Sequence, residues 1–314
     1  MAKRLLGGSG LSVEPLALGG NVFGWSIDQA ASFAVLDAFL DAGLNLVDTA
    51  DAYSAWVPGN SGGESETIIG NWLAQGGRRE RVVIATKVGK WNARRGLAPA
   101  NIQAAAEDSL RRLRIDTIDL YFAHEDDSAV PLADTLGAFA RLIEQGKVRA
   151  IGASNYSAPR LAEALAVSAG HGLPRYEVLQ PEYNLVARKQ YEQELEPLSR
   201  EAGLGVVSYY SLASGFLSGK YRSEADLDKS ASRSGAVAKY LNGHGWRVLA
   251  ALDDVARRLA ATPAQVALAW LMTRPGVTAP IAGATSPAQV AELAGATRLK
   301  LSREDLERLD VASA

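Results

Sequence analysis

Cysteine is absent from all 314 residues, which removes disulfide frameworks, thiol nucleophiles and thiolate metal sites together. Histidine is scarce, at three residues, so an imidazole-built metal centre has little to draw on and none is expected. No apolar run reaches the length of a transmembrane helix. At the N-terminus Lys3 and Arg4 are followed only by Leu5 and Leu6 before Gly7 and Gly8, far short of a signal-peptide core. Neither sign of charge dominates: 33 Lys and Arg stand against 35 Asp and Glu, a net charge of −2, which leaves no electrostatic footprint for nucleic acid or an anionic membrane. A chain working in the cytoplasm on a small molecule is the expectation that remains.

What is present is a large apolar fraction, 47% hydrophobic against 22% charged, enough to bury an extensive core. Short runs of Val, Ile and Leu alternate with longer segments of helical period. That alternation predicts strands near residues 16–18, 44–47, 82–86, 118–122, 148–153, 178–180, 205–209 and 278–281. Helices are expected over 102–113, 132–145, 159–168 and 191–202, where apolar residues recur every three or four positions, with further helices at 287–293 and 303–309. Ala42-Gly43, Gln145-Gly146 and Ala202-Gly203 place a glycine between a helix and the next strand, as a left-handed C-cap requires. Eight strands in such an array imply an α/β fold, a closed (β/α)8 barrel forming one domain over residues 1–314. A small N-terminal hairpin precedes it, around Gly7-Gly8-Ser9-Gly10. Two long loops, 53–64 and 211–243, follow strands, where a barrel carries its functional loops.

Asp48 ends the second predicted strand, Lys87 the third and His124 the fourth, with Tyr53 five positions beyond Asp48. In a barrel those ends converge on one mouth. A lysine closing an apolar strand is the sharpest of these signals, because burying an ammonium is costly without a compensating carboxylate; Asp48 can supply one. A phenol is a poor acid at neutral pH unless a cation stabilises its phenolate, so Lys87 would serve Tyr53, and His124 would hydrogen-bond a carbonyl being reduced. Each residue alone has a blander reading: Asp48 as a helix cap with Asp51 as a rival carboxylate, Tyr53 as a loop aromatic, His124 as a satisfied polar group. His171 and His244 read as surface residues, Tyr210 as core, and Arg94-Arg95 and the 78–81 run as solvated turns. Trp25, Trp56 and Trp91 follow the first three strands, and either line an apolar mouth or pack loops onto the barrel.

Asp48-Thr49-Ala50-Asp51-Ala52-Tyr53, Ala85-Thr86-Lys87 and Leu120-Tyr121-Phe122-Ala123-His124 resemble the Asp, Tyr, Lys and His motifs of the aldo-keto reductases. The resemblance extends through Gly152-Ala153-Ser154-Asn155-Tyr156, Gln180-Pro181-Glu182-Tyr183-Asn184, Ser211-Leu212-Ala213 and Ile281-Ala282-Gly283-Ala284-Thr285. It implies reduction of an aldehyde, ketone or keto-sugar by a nicotinamide cofactor bound without a Rossmann domain, and Asp48, Tyr53, Lys87 and His124 as the catalytic set. It further implies that Ser154, Asn155 and Gln180 hold the carboxamide and that Tyr209 stacks on the ring. By the same resemblance Ser211, Leu212, Gly215, Leu217, Lys220 and Arg233 cover the pyrophosphate, and Gly283, Ala284, Thr285, Gln289 and Glu292 meet the adenosine end. The chain departs from the family pattern in the long segment after Tyr53, and in Gly283, Gln289 and Leu293, where Lys or Ser, Arg, and Asn are frequent. Two cations that often read the extra phosphate of NADPH are thus missing, but Gln289, Thr285 and the positive end of the helix after Ser286-Pro287 remain to favour an anion, so NADPH is expected to be preferred with NADH usable. An alternative within the same resemblance is a cofactor-sensing regulatory subunit like the potassium-channel beta subunits.

Overall fold

The computed structural model describes residues 2–229 and 234–314. Its centre is a ring of short parallel strands: β1 (Ala17–Gly19), β2 (Leu46–Asp48), β3 (Val83–Val88), β4 (Ile118–Ala123), β5 (Val148–Ser154), β6 (Val178–Gln180), β7 (Gly205–Val206) and β8 (Ile281–Ala282), each hydrogen-bonded to the next, with β8 also beside β1. The ring closes between β7 and β8, where the Thr278 amide donates to the Val206 carbonyl at 2.8 Å and the Ile281 amide to that of Ser208 at 2.8 Å. This is the (β/α)8 barrel that the alternating pattern predicts.

The strands are buried on both faces, which is why they read as continuous apolar runs rather than alternating ones. Helices pack outside: α1 (Gln29–Asp41), α2 (Glu64–Leu73), α3 (Pro99–Leu113), α4 (Leu132–Glu144) and α5 (Ala158–His171) follow the first five strands. The expected joints are present, with Gly43, Gly146 and Gly203 at φ +82°, +71° and +65°. Residues 191–202 hold one wide turn of π-helix, Tyr191–Leu195, leading into α6 (Glu196–Glu201). After α7 (Ser234–Ala238), α8 (Gly243–Arg258) and α9 (Pro263–Thr273) precede β8, and α10 (Pro287–Gly295) and α11 (Arg303–Ala312) end the chain. Thr262 opens α9 in a capping box with Gln265.

The N-terminal hairpin, Arg4–Leu5 against Ser12–Val13, closes the floor of the barrel. Leu6, Leu11 and Val13 are buried there against Leu46, Val83, Leu120 and Val178. Gly7 needs to be glycine twice over: its φ is +54°, and a Cβ would stand 2.3 Å from the Glu177 carbonyl oxygen. The Arg4 guanidinium donates to the carbonyls of Met272 and Val277, each at 3.1 Å.

Three expectations need correction. Tyr210 is not core; φ of +52° at this residue turns its ring outward, and it is 47% exposed. Arg94–Arg95 is not a free turn but a short strand paired with Lys90–Trp91, and its two guanidinium groups bond Asp108 and Glu125. In the 78–81 run, Arg79 reaches the buried carboxylate of Asp119 at 2.9 Å. For the arginines, a partner distant in sequence decides the outcome. His171 is exposed, as expected, and His244 is half-buried beside Arg247.

Candidate active site

Register brings the first two groups together: β2 and β3 pair with Asp48 opposite Ala85, and two residues on, the same face of β3 carries Lys87. The Lys87 ammonium is fully buried and each of its three hydrogens finds an acceptor, in Asp48 Oδ2 at 2.7 Å, the Thr49 carbonyl at 2.7 Å and the Tyr53 hydroxyl at 2.9 Å. Tyr53 returns to the strand ends because the segment between folds into a pinned turn. The Thr49 amide extends the β3 ladder to the Ala85 carbonyl, the Tyr53 amide closes onto Ala50, and Ser54, at φ +69°, donates to the Phe23 carbonyl at 2.7 Å. His124, at the end of β4, faces the Tyr53 ring with centroids 6.1 Å apart.

Burial raises the Tyr53 phenol well above its ordinary value, and the Asp48 charge pushes it the same way. The resting phenol therefore carries its proton. Burial pulls the Lys87 ammonium down against the opposing charges of Asp48, Asp51 and Glu66. Burial also lowers His124 well below the usual imidazole range, helped by Lys87 and Lys90, so the ring is neutral. Its Nδ1 is buried and meets no hydrogen-bond partner among the described residues. A lone pair is cheaper to leave unmet there than an N–H, which puts the ring proton on Nε2 as a hydrogen-bond donor.

Behind this set lies a second charged layer that spacing alone did not reveal. Glu66, fully buried on α2, accepts from Thr86 Oγ1 at 2.6 Å and from Arg112 Nε at 2.7 Å. Asp51 is also fully buried, neither of its oxygens meets a donor of good geometry, and burial with the nearby Glu66 charge raises its carboxyl to about 7. A glutamate two residues into a helix carries no sequence signal for this role; Asp51 does, standing three residues from Asp48.

The barrel mouth opens into a cavity of about 1310 Å³, larger than a single small ligand requires. Asp48, Tyr53 and His124 line it, with Lys87 just behind. Loops after β1–β4 form one half, including Trp25, Trp56 and Trp91; all three tryptophans line the cavity. Loops after β5–β8 form the other half, with Ser154, Asn155, Gln180, Tyr209, Ser211, Leu212, Gly215, Lys220, Gly283, Thr285 and Gln289. Leu217 and Ala284 are instead buried in the core, Glu292 does not line the cavity, and Arg233 lies outside the described residues. Ser214 and Asn21, which no motif singled out, line it as well.

Several of these groups are already tied to the Asp48, Lys87, Tyr53 and His124 cluster. Gln180 Nε2 donates to Asp48 Oδ1 at 2.9 Å, and the Gln180 carbonyl accepts from Ser154 Oγ at 2.9 Å. Asn155, at φ +57°, donates to the His124 carbonyl at 2.8 Å and accepts from the Tyr209 hydroxyl at 2.8 Å. The loop after β7 holds Tyr210, Ala213, Ser214 and Gly215 all at positive φ. So many left-handed residues in six positions store strain, a feature concentrated at ligand clamps. Room for a dinucleotide, an aromatic face at Tyr209 and a strained loop beside Lys220 suit a bound nicotinamide cofactor.

The sequence matches the model of the aldo/keto reductase family over residues 15–314. It is similar to an uncharacterised oxidoreductase, YrpG, of Bacillus subtilis, 36% identical over 97% of this chain and 94% of the relative. The protein Tas of Escherichia coli is 33% identical over 96% and 94%. A probable voltage-gated potassium channel subunit beta of Oryza sativa is 34% identical over 93% and 90%. Barrel, buried Lys–Asp pair and relatedness along nearly the whole length agree, and the chain belongs to the aldo/keto reductase family.

Proposed function

We propose that this aldo/keto reductase reduces an aldehyde, ketone or keto-sugar carbonyl to the alcohol with NADPH or NADH, with Tyr53 as general acid. The observation that carries the reading is the convergence on one buried ammonium: Lys87 holds Asp48 and the Tyr53 hydroxyl at 2.7 and 2.9 Å, at the wall of a cavity large enough for cofactor and substrate together. The dinucleotide, when bound, supplies hydride to the carbonyl carbon. The chain supplies the rest. His124 Nε2–H orients and polarises the carbonyl oxygen, and Tyr53 delivers its proton to that oxygen as negative charge develops there. The Lys87 hydrogen bond to the phenol oxygen strengthens as the phenolate forms, because a donor bonds a charged acceptor more tightly than a neutral one. Gln180 and Asn155 connect the cofactor half of the cavity to Asp48 and His124, so a carboxamide held there is placed relative to the acid.

At the adenosine end Gln289 accepts from the Thr285 amide at 2.8 Å through its side-chain oxygen, which leaves its NH2 as a neutral donor. The opening of α10 offers little more: Pro287 has no N–H, and the Gln289 amide is engaged by Ser286. The positive end of α10 still favours an anion, so NADPH is preferred, and with so few donors only modestly. Part of the same reading is a single barrel domain over residues 1–314 acting in the cytoplasm; among the described residues no helix is long and apolar enough to cross a membrane. The relative named as a channel subunit favours a second reading, a cofactor-sensing regulatory role. A screen following loss of reduced-nicotinamide absorbance with aldehydes, dicarbonyls and keto-sugars separates the two: turnover supports the reductase, and tight cofactor binding without turnover supports the sensor.

A further inference from the structure

The half of the cavity formed by the loops after β1–β4 combines aromatic walls with an unneutralised cation. Trp25 and Trp56 meet edge to face at 5.3 Å, and Trp56 lies 6.2 Å from the Tyr53 ring. Trp56 is half exposed and Tyr210 nearly so, at 50% and 47%, which places large apolar faces where a substrate would enter rather than in the core. Trp91 is fixed on the rim by the short hairpin Lys90–Trp91 and Arg94–Arg95.

Charge around this opening is one-sided. Among the described residues lining the cavity, the one carboxylate is Asp48, which Lys87 already neutralises. Arg95 is bonded to Glu125 through two of its nitrogens, at 3.1 and 2.8 Å. Lys90 lines the cavity, is exposed, and forms no ion pair among the described residues. It stands in the hairpin after β3, the strand between those that lead to Tyr53 and His124, and so in the same half of the cavity as both. An ammonium beside low-dielectric aromatic walls attracts an anion more strongly than one on an open surface.

We propose that this half of the cavity selects carbonyl substrates that carry an aromatic or similarly flat apolar body and an anionic group, a carboxylate above all, with Lys90 as the residue that recognises the anion. This rests on the reductase reading and narrows it. The tryptophans hold the ring by area and stacking, the Tyr53 and His124 groups hold the carbonyl, and Lys90 meets the charge.

The test compares the three carboxybenzaldehydes with their methyl esters, which keep the ring, the aldehyde and nearly the shape but lose the charge. For at least one isomer, wild-type kcat/KM for the acid should exceed that for the ester by about tenfold, the scale of one charged hydrogen bond, and the excess should shrink as ionic strength rises. In Lys90→Met the ratio should fall to about one while the ester rate stays within about twofold, and in Lys90→Glu the ester should become the better substrate. Esters reduced as well as acids by the wild type, or a ratio that Lys90→Met leaves unchanged, would overturn the anion subsite and leave the reductase standing. Failure to reduce any acid or ester, with turnover of another carbonyl in the broader screen, would overturn this inference and leave the reductase standing; no turnover of any carbonyl would sink both.

Discussion

Lys87 and Asp48 form a 2.7 Å ion pair from which solvent is almost wholly excluded, their side chains 0% and 3% exposed. Such a pair is weak grounds for stability as a whole, but its halves depend on one another: removing one leaves a buried charge uncompensated. Lys87→Met should therefore cost about 3–5 kcal/mol in chemical denaturation as well as most of the turnover. Asp48 keeps only the Gln180 amide and the long contact from Tyr53, at 2.9 and 3.4 Å. Asp48→Asn should slow turnover with a smaller loss of stability. Unchanged unfolding and unchanged rate in Lys87→Met would show that neither the fold nor turnover depends on this pair.

Tyr53→Phe removes the proposed proton donor without touching a group placed to hold the dinucleotide. Its kcat should fall by about 10²–10⁴-fold, while cofactor affinity, followed by fluorescence titration, stays within about twofold. Retention of more than about a tenth of the wild-type rate would assign the proton to another group.

Asp51 makes stability depend on pH. Its carboxyl, ordinarily at 3.8, is raised to about 7, so the folded state holds this proton more tightly than the unfolded chain. The stability it contributes is complete below the unfolded value and is lost as pH rises through about 7, a swing of about 4 kcal/mol in all. Asn cannot titrate. Relative to wild type, Asp51→Asn should gain about 2–3 kcal/mol between pH 5 and pH 8 in paired urea melts. A difference that stays flat across that range would mean that Asp51 ionises in the fold as readily as in water.

Cofactor choice turns on Gln289. Wild-type dissociation constants should favour NADPH over NADH by less than about a hundredfold, and Gln289→Arg should widen the gap, because a guanidinium adds about 1.5–3 kcal/mol through a charged hydrogen bond to the 2′-phosphate. A thousandfold preference in the wild type would require a cation elsewhere at the adenosine end.

The barrel, and the meeting of Asp48, Lys87, Tyr53 and His124 at its mouth, were legible because both follow from local rules. A helix, a glycine and an apolar run recur from Ala42-Gly43 to Ala202-Gly203, and polar residues at strand ends must share a mouth. What escaped depends on which way a side chain faces. Leu217 and Ala284 lie within motif segments yet point into the core, and spacing along a loop does not encode that. The helix α9 is buried at Ala264 and throughout Val266, Ala267, Leu268, Ala269, Trp270 and Leu271, so it shows no amphipathic stripe to find. Tyr210 looked like core because it stands beside Tyr209, and its left-handed backbone angle goes with an exposed ring. The Glu66, Arg112 and Thr86 layer joins three elements, and only the folded chain brings them together.

The Arg4 guanidinium reaches the Val277 carbonyl, 273 positions along the chain. The floor hairpin is thus sewn to the segment that leads into the last strand, and the seam between β7 and β8 is short. Closing so long a loop costs entropy before any contact rewards it. During synthesis the early strands must wait with open edges until residues near 280 leave the ribosome, so the half-built barrel is the species most exposed to aggregation. Destabilising Arg4 should accordingly lower the yield of folded protein more than the stability of the protein that does fold, a difference visible by comparing soluble expression with urea midpoints for Arg4→Ala.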